Sequence, residues 1–219
     1  DVSSPIVDEI TQRFARAGFD WEVLDLVYAD LLLEAGCEIL LHTWVVEPLM
    51  HSDAVCGVRV LTKQGILEIG ARVTVDATAD GDIAFRAGVP FEKGRDGDGL
   101  LQPMTIMFRA GGVDKSRALL CGSEEEAFEV RVPEGAWHDV VQRGMKSGEL
   151  PESIGIIRIY ESPRAGERVV NATQINGVDG TKIEDLTRAE IEGRRQALQV
   201  TKFLQKHAPG YEECFIAGM

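Results

Sequence analysis

The chain has 219 residues, 44% of them hydrophobic and 27% charged, the proportions of a globular protein with enough apolar material for one large domain or two modest ones. Lys and Arg number 23 against 36 Asp and Glu, and the net charge of −13 repels phosphate backbones and anionic lipid, which argues against nucleic-acid and membrane partners. The longest strongly apolar stretch, 39–46, is interrupted by His42 and falls far short of the roughly 20 residues that span a bilayer.

The amino end, DVSSPIVDEITQRF, holds acidic residues and no long apolar run, so it does not read as a secretory signal and the cytoplasm is the expected compartment. Asp20 is placed to cap a helix, with Phe19 and Leu24 as a hydrophobic staple. Leu24, Val27, Tyr28, Leu31 and Ala35 follow at helical spacing, and Gly36 sits where a left-handed C-terminal residue belongs. The next ten residues, CEILLHTWVV (37–46), are predicted as a strand buried on both faces, which makes a layered α/β unit and gives His42 the role of a satisfied core imidazole. Strands at 55–61 and 66–75 come next, joined by a short turn ending in Gly65, so a β-meander feeds the segment that ends at Asp76.

Asp76-Ala77-Thr78-Ala79-Asp80-Gly81-Asp82 admits three readings. As a calcium loop it fails at the twelfth position, where Ala87 replaces the bidentate glutamate. As a strand end, Asp80 or Asp82 caps a short helix over 83–87 closed by Gly88. As a ligand turn, Ala77, Thr78 and Ala79 supply so little bulk that a large flat molecule can lie against the backbone.

After Pro90 the chain becomes glycine-rich and charged, EKGRDGDGLLQP (92–103), and a domain boundary is expected there. Beyond it the pattern predicts a strand at 104–110, a short helix near 115–121, a helix over 134–147 with Trp137, Val141 and Met145 on one face, and a hairpin of 154–161 with 168–175. Thr187 to Glu190 reads as the capping box of a last long helix that ends at His207-Ala208-Pro209-Gly210. Cys37, Cys56, Cys121 and Cys214 show no CxxC spacing and are expected as reduced, buried thiols. The sequon at Asn171-Ala172-Thr173 is too short a pattern to weigh. His51, His138 and His207 lack the spacing of metal ligands, so no metal is expected.

In order along the chain, Asp76-Ala77-Thr78-Ala79-Asp80-Gly81-Asp82, Ala87-Gly88-Val89-Pro90-Phe91-Glu92, Gly94, Gly99 and Gln102-Pro103-Met104-Thr105 are followed by Gly112-Val113-Asp114, Val170-Asn171, Leu186-Thr187, Ala189-Glu190 and Gly193-Arg194-Arg195. This set resembles the FAD-dependent oxidoreductases with a glutathione-reductase-like cofactor domain, over nearly the whole chain. The resemblance implies an α/β protein, α+β overall: a partial FAD-binding domain at 1–92, with a mixed-sheet substrate domain at 93–219 covering the isoalloxazine. It implies FAD contacts at Ala77, Thr78, Ala79 and Asp80, where Ala79 replaces the family's glycine, and adenine contacts at Trp44 and Val45. Gln102 matches a family position and either orients groups near the flavin or is a plain loop amide.

No GxGxxG follows a strand anywhere in the chain, although that motif holds the FAD pyrophosphate. Family members carry it upstream and continue past CFIAGM, so the chain is expected to be the middle of a longer protein, to hold FAD weakly or not at all by itself, and to favour a partner chain or homo-oligomer. Substrate candidates come from strand faces. Arg109 is the charged member of the Thr105-Met107-Arg109 face, Arg158 shares a face with Tyr160, and Asn171 shares one with Thr173. If these faces coincide they form a polar floor for an anionic small-molecule substrate; otherwise the arginines pair with surface carboxylates. The expected activity is hydride or electron transfer on a small organic molecule, with a non-catalytic binding or scaffold domain as the rival.

Overall fold

The computed structural model describes residues 4–18 and 20–219, and the chain divides into two compact units, Asp1–Lys93 and Gly94–Met219.

The first unit opens with α1 (Pro5–Arg16), a helix that the sequence reading passed over. Proline stands at its first position, where a missing N–H is harmless, and Arg13 and Arg16 lie in the last turn against the negative end of the helix dipole. Asp20 Oδ1 accepts from the Glu22 amide at 3.1 Å, opening a 3₁₀ turn (Trp21–Val23) that runs into α2 (Leu24–Glu34). Gly36 closes α2 at φ 78°, as its position predicts. The proposed staple rests on Phe19, which lies outside the described residues. Arg13 ties the two helices together, donating to both oxygens of Glu34 at 2.8 and 2.6 Å.

The strand expected over 37–46 is displaced. Residues 37–43 form none; β1 runs from Trp44 to His51. His42 is exposed with φ 53°, which breaks an extended backbone, and Leu41 and Trp44 are 74% and 76% exposed. A run of apolar residues signals burial only if a layer covers it, and here the expectation of a core strand and of a buried His42 is overturned. The meander is as read: β1, β2 (Ala54–Thr62) and β3 (Gly65–Gly70) pair in that order, all antiparallel, with Lys63 and Gln64 in the tight turn. The ladder stops at Gly70, however, so 71–75 are not strand, and Val75 is 83% exposed. A short helix, α3 (Asp82–Arg86), ends the unit's regular structure, and Gly88 follows it at φ 81°.

In the second unit, β4 (Phe108–Gly111) is shorter than expected; Met104 contributes only a single bridge to Ile175. Residues 115–117 make a turn, not the predicted helix. Then come α4 (Glu124–Glu129), capped by Ser123 Oγ accepting from the Glu126 amide at 3.2 Å, and a small hairpin, β5 (Arg131–Val132) with β6 (Gly135–Ala136). These lead into α5 (Trp137–Ser147), closed by Gly148 at φ 79°. Next follow β7 (Arg158–Glu161), β8 (Arg168–Asn171), α6 (Ile183–His207) and β9 (Phe215–Gly218). The predicted capping box lies inside α6: Thr187 Oγ1 donates back to the Ile183 carbonyl at 2.8 Å, and the helix begins one turn earlier.

The sheet order is β7-β8-β4-β9, every pair antiparallel. Among the described residues neither unit contains a parallel pair, so the layered α/β unit and the mixed sheet are both corrected to an α+β arrangement of antiparallel sheets and helices. Phe108, Ala110, Ile159 and Val170 point from one face of this sheet into a core with Trp137, Val140 and Val141 of α5 and Ala197, Val200, Phe203 and Leu204 of α6. The Trp137 indole N–H donates to the Ile157 carbonyl at 3.0 Å, so its polar group is satisfied where the ring is fully buried. Of the four cysteines, Cys121 and Cys214 are buried; burial pushes the Cys214 thiol up to about 11. Cys37 and Cys56 are exposed, against expectation: Cys37 lies in a segment that forms no strand, and Cys56 lies near the start of β2, short of its buried Val60.

Candidate functional site

The acidic turn is organised by Asp76. Its Oδ1 accepts from the Thr78 amide at 3.0 Å and the Thr78 hydroxyl at 2.7 Å; its Oδ2 accepts from the Ile83 and Ala84 amides at 3.0 and 2.8 Å. Thr78 Oγ1 in turn accepts from the Asp82 amide at 2.8 Å. The cap of α3 is therefore Asp76, reached across the loop, rather than Asp80 or Asp82. These donors, the Thr78 hydroxyl first, hold the Asp76 carboxyl at about 2. With Asp76 and Thr78 bonded inward, Ala77, Ala79 and Asp80 stay exposed. Ala79 adopts φ 69°, the left-handed conformation that favours glycine, and this is the position where alanine replaces the glycine expected from the resemblance.

Trp44 starts β1 opposite Leu61, and Val45 pairs with Val60. Gln102 is exposed and follows a loop that closes on itself: the Arg95 amide donates to the Leu100 carbonyl at 3.0 Å, and Arg95 donates to both oxygens of Asp98 at 2.9 and 2.6 Å. That pairing holds the Asp98 carboxyl below its usual range.

Residues 2–219 match the family described as FAD dependent oxidoreductase. The chain belongs to that family. No curated protein and no solved structure matches it.

In this FAD-dependent oxidoreductase chain the substrate candidates are brought onto one face. Arg158 pairs with Asn171 across β7 and β8, Tyr160 with Val169, and Val169 with Arg109 across β8 and β4. Directly opposed residues of an antiparallel pair share a face. Arg109, Arg158, Tyr160 and Asn171 therefore lie together, on the side away from the core, and all four are partly exposed. Thr173 leaves the group: it is buried, beyond the end of β8, with Oγ1 accepting from the Ile106 amide at 2.7 Å. Arg158 also donates to Glu124 at 2.8 Å, so pairing with a surface carboxylate holds for this residue.

The sequence reading missed Gly218, whose pairing places it opposite Arg109 on the same face. The alternation of Phe215 and Ala217 with Ile216 and Gly218 was the available signal. Two clefts, of about 590 and 210 Å³, are lined by other residues, respectively between α1 and α2 and beside His207. Among the described residues no group of three His, Cys, Asp or Glu side chains has metal-binding geometry, and no helix is long and apolar enough to cross a membrane.

Proposed function

We propose that the chain is part of an FAD-dependent oxidoreductase with a glutathione-reductase-like cofactor domain, acting in the cytoplasm on a small organic substrate. Residues 1–92 contribute to the FAD-binding domain and 93–219 form the substrate domain. Ala77, Thr78, Ala79 and Asp80 would lie against the nucleotide, Trp44 and Val45 against the adenine, and Gln102 near the flavin ring. When bound, FAD supplies the redox chemistry, exchanging a hydride or electrons with the substrate. The chain's own residues bind and orient: the turn offers main chain and methyl groups, and the polar sheet face with Arg109, Arg158, Tyr160 and Asn171 is the substrate floor.

The observation that carries this reading is the turn itself. Asp76 draws Thr78 inward and leaves Ala77 and Ala79 exposed, so a flat ligand would meet methyl groups and backbone there, with the exposed Asp80 next along the turn. The test is titration of FAD followed by quenching of its fluorescence, in wild type and in Ala77→Leu. Saturable quenching, weakened at least about tenfold by the leucine with an unchanged melting temperature, is expected from a contact of this kind. Quenching indifferent to Ala77→Leu would overturn the turn as the flavin contact.

A further inference from the structure

His207, which ends α6, is used by neither the acidic turn nor the polar sheet face. Its side chain is only 17% exposed, and its ring lies 4.5 Å from that of Phe203 between centroids. The ring stands between two carboxylates from different elements. Nε2 lies 3.0 Å from Oε2 of Glu149, just past α5, and Nδ1 lies 3.6 Å from Oε1 of Glu134, in the turn of the β5–β6 hairpin. That Nδ1 is shut off from water and has no hydrogen-bond partner. A neutral ring carries a single N–H, so one nitrogen must turn a bare lone pair on a carboxylate, without water to relieve it. Only the imidazolium offers an N–H to both.

Charges reach the ring's surroundings from each element that packs there. Lys206, its neighbour in α6, donates to both oxygens of Glu149 at 2.9 and 3.0 Å, and Arg143 of α5 donates to the Glu134 carbonyl at 2.9 Å. Glu149 is therefore held twice, by His207 first and Lys206 second, and its carboxyl lies below the usual range. The Glu134 carboxylate is different. Among the described residues the imidazole is the one group paired with it. Glu134, Arg143, Glu149 and His207 all line the cleft of about 210 Å³.

We propose that His207 is a pH-sensitive clasp: its imidazolium ties the β5–β6 turn, through Glu134, to the end of α6, and loss of one ring proton loosens that turn. The neutral ring keeps its Nε2–H on Glu149, the nearer carboxylate, so the Nδ1 contact is the one that is lost. Arg143 stays charged and keeps the Glu134 carbonyl, so the turn loosens without leaving. The clasp is closed while the ring is charged and opens as pH rises through the ring's titration.

The test is NMR on the 219-residue chain between about pH 5 and pH 9, the span in which a histidine switch acts. Ring-nitrogen shifts of His207 report charge and tautomer, and amide protection factors report the hairpin. Both ring nitrogens should be protonated at the acid end and Nε2 alone at the basic end. Over the same step, protection of the β5–β6 ladder and of the Trp137 amide, which bonds the Val130 carbonyl at 2.9 Å, should fall at least about twofold, the range of a partly exposed ion pair. Protection in the β7–β8 ladder should not follow it. Glu134→Gln and His207→Gln should each abolish the hairpin step, and the β7–β8 amides in the same samples separate this from general loss of stability, which lowers both. Hairpin protection indifferent to the ring's charge, a neutral ring protonated at Nδ1, a step that persists in either variant, or an equal step in β7–β8 would overturn the proposal.

Discussion

Asp76 accepts four hydrogen bonds through two oxygens, and its ionised form is what the turn is built around. Its carboxyl sits at about 2 in the folded chain against an ordinary 3.8, so the stabilisation is fully present above the ordinary value and disappears as pH falls through the folded one. Amides of Thr78, Ile83 and Ala84 should therefore stay protected from hydrogen exchange at neutral pH and lose protection as pH approaches 2. In Asp76→Asn, where an amide nitrogen replaces one acceptor, they should exchange faster at neutral pH and without that acid dependence; exchange read by NMR decides it. Ala79 poses the opposite case. A non-glycine residue in the left-handed region costs on the order of 1–2 kcal/mol, part of which glycine would return in unfolded-chain entropy. Ala79→Gly should raise stability by up to about 1 kcal/mol in a urea titration. Unchanged or lower stability would show that Ala79 is not strained.

The packing of α5 on α6 turns on Gly144. A Cβ there would come within 2.3 Å of the ring of Phe203, which is itself buried and has nowhere to retreat. Alanine would gain about 1 kcal/mol of helix propensity but force an overpacking cost of roughly 1–3 kcal/mol, so the clash wins and Gly144→Ala should lower the urea midpoint. An unchanged or higher midpoint would mean that the two helices can part without loss. Helices such as α5 and α6 were legible because their apolar periodicity and closing signals are local: Trp137 and Val141 with Gly148, and the stop at Pro209-Gly210. The hairpins were legible for a related reason, since alternation and a turn glycine lie within a few residues of each other. What failed depends on partners far along the chain. Residues 37–43 have a strand's composition but no neighbour to pair with, and α1 carries its amphipathic signal in a short polar segment where it was easily passed over. The candidate site divided in the same way. The small, acidic composition of the turn was plain, but that Asp76 rather than Asp80 or Asp82 caps α3 depends on how the loop folds back. The shared face of Arg109, Arg158, Tyr160 and Asn171 is conditional in the sequence because only strand register decides it.

Across the whole molecule, apolar burial is unevenly distributed. Among the described hydrophobic residues before Lys93, only Phe14, Val27, Val60 and Ile83 are buried, whereas the second unit holds a continuous core around Trp137, Phe108, Phe203 and Leu204. Since buried apolar area is the main stabilising term, local opening should be easiest in the first unit. Native-state hydrogen exchange should find the slowest amides in α5, α6, β4 and β8 and much faster exchange in α1, α2 and β3. Equal protection in both would refute this ranking. The loop closed by Arg95 and Asp98 matters here, because residues 91–100 are exposed throughout while the turn beyond Lys93 is fastened by its own bonds. A protease that recognises lysine meets an accessible peptide bond between Lys93 and Gly94, at the seam between the units. A nick there leaves the Arg95 clasp intact, so a fragment beginning at Gly94 should be among the first products of limited digestion, with the exposed Lys182 before α6 as a second site.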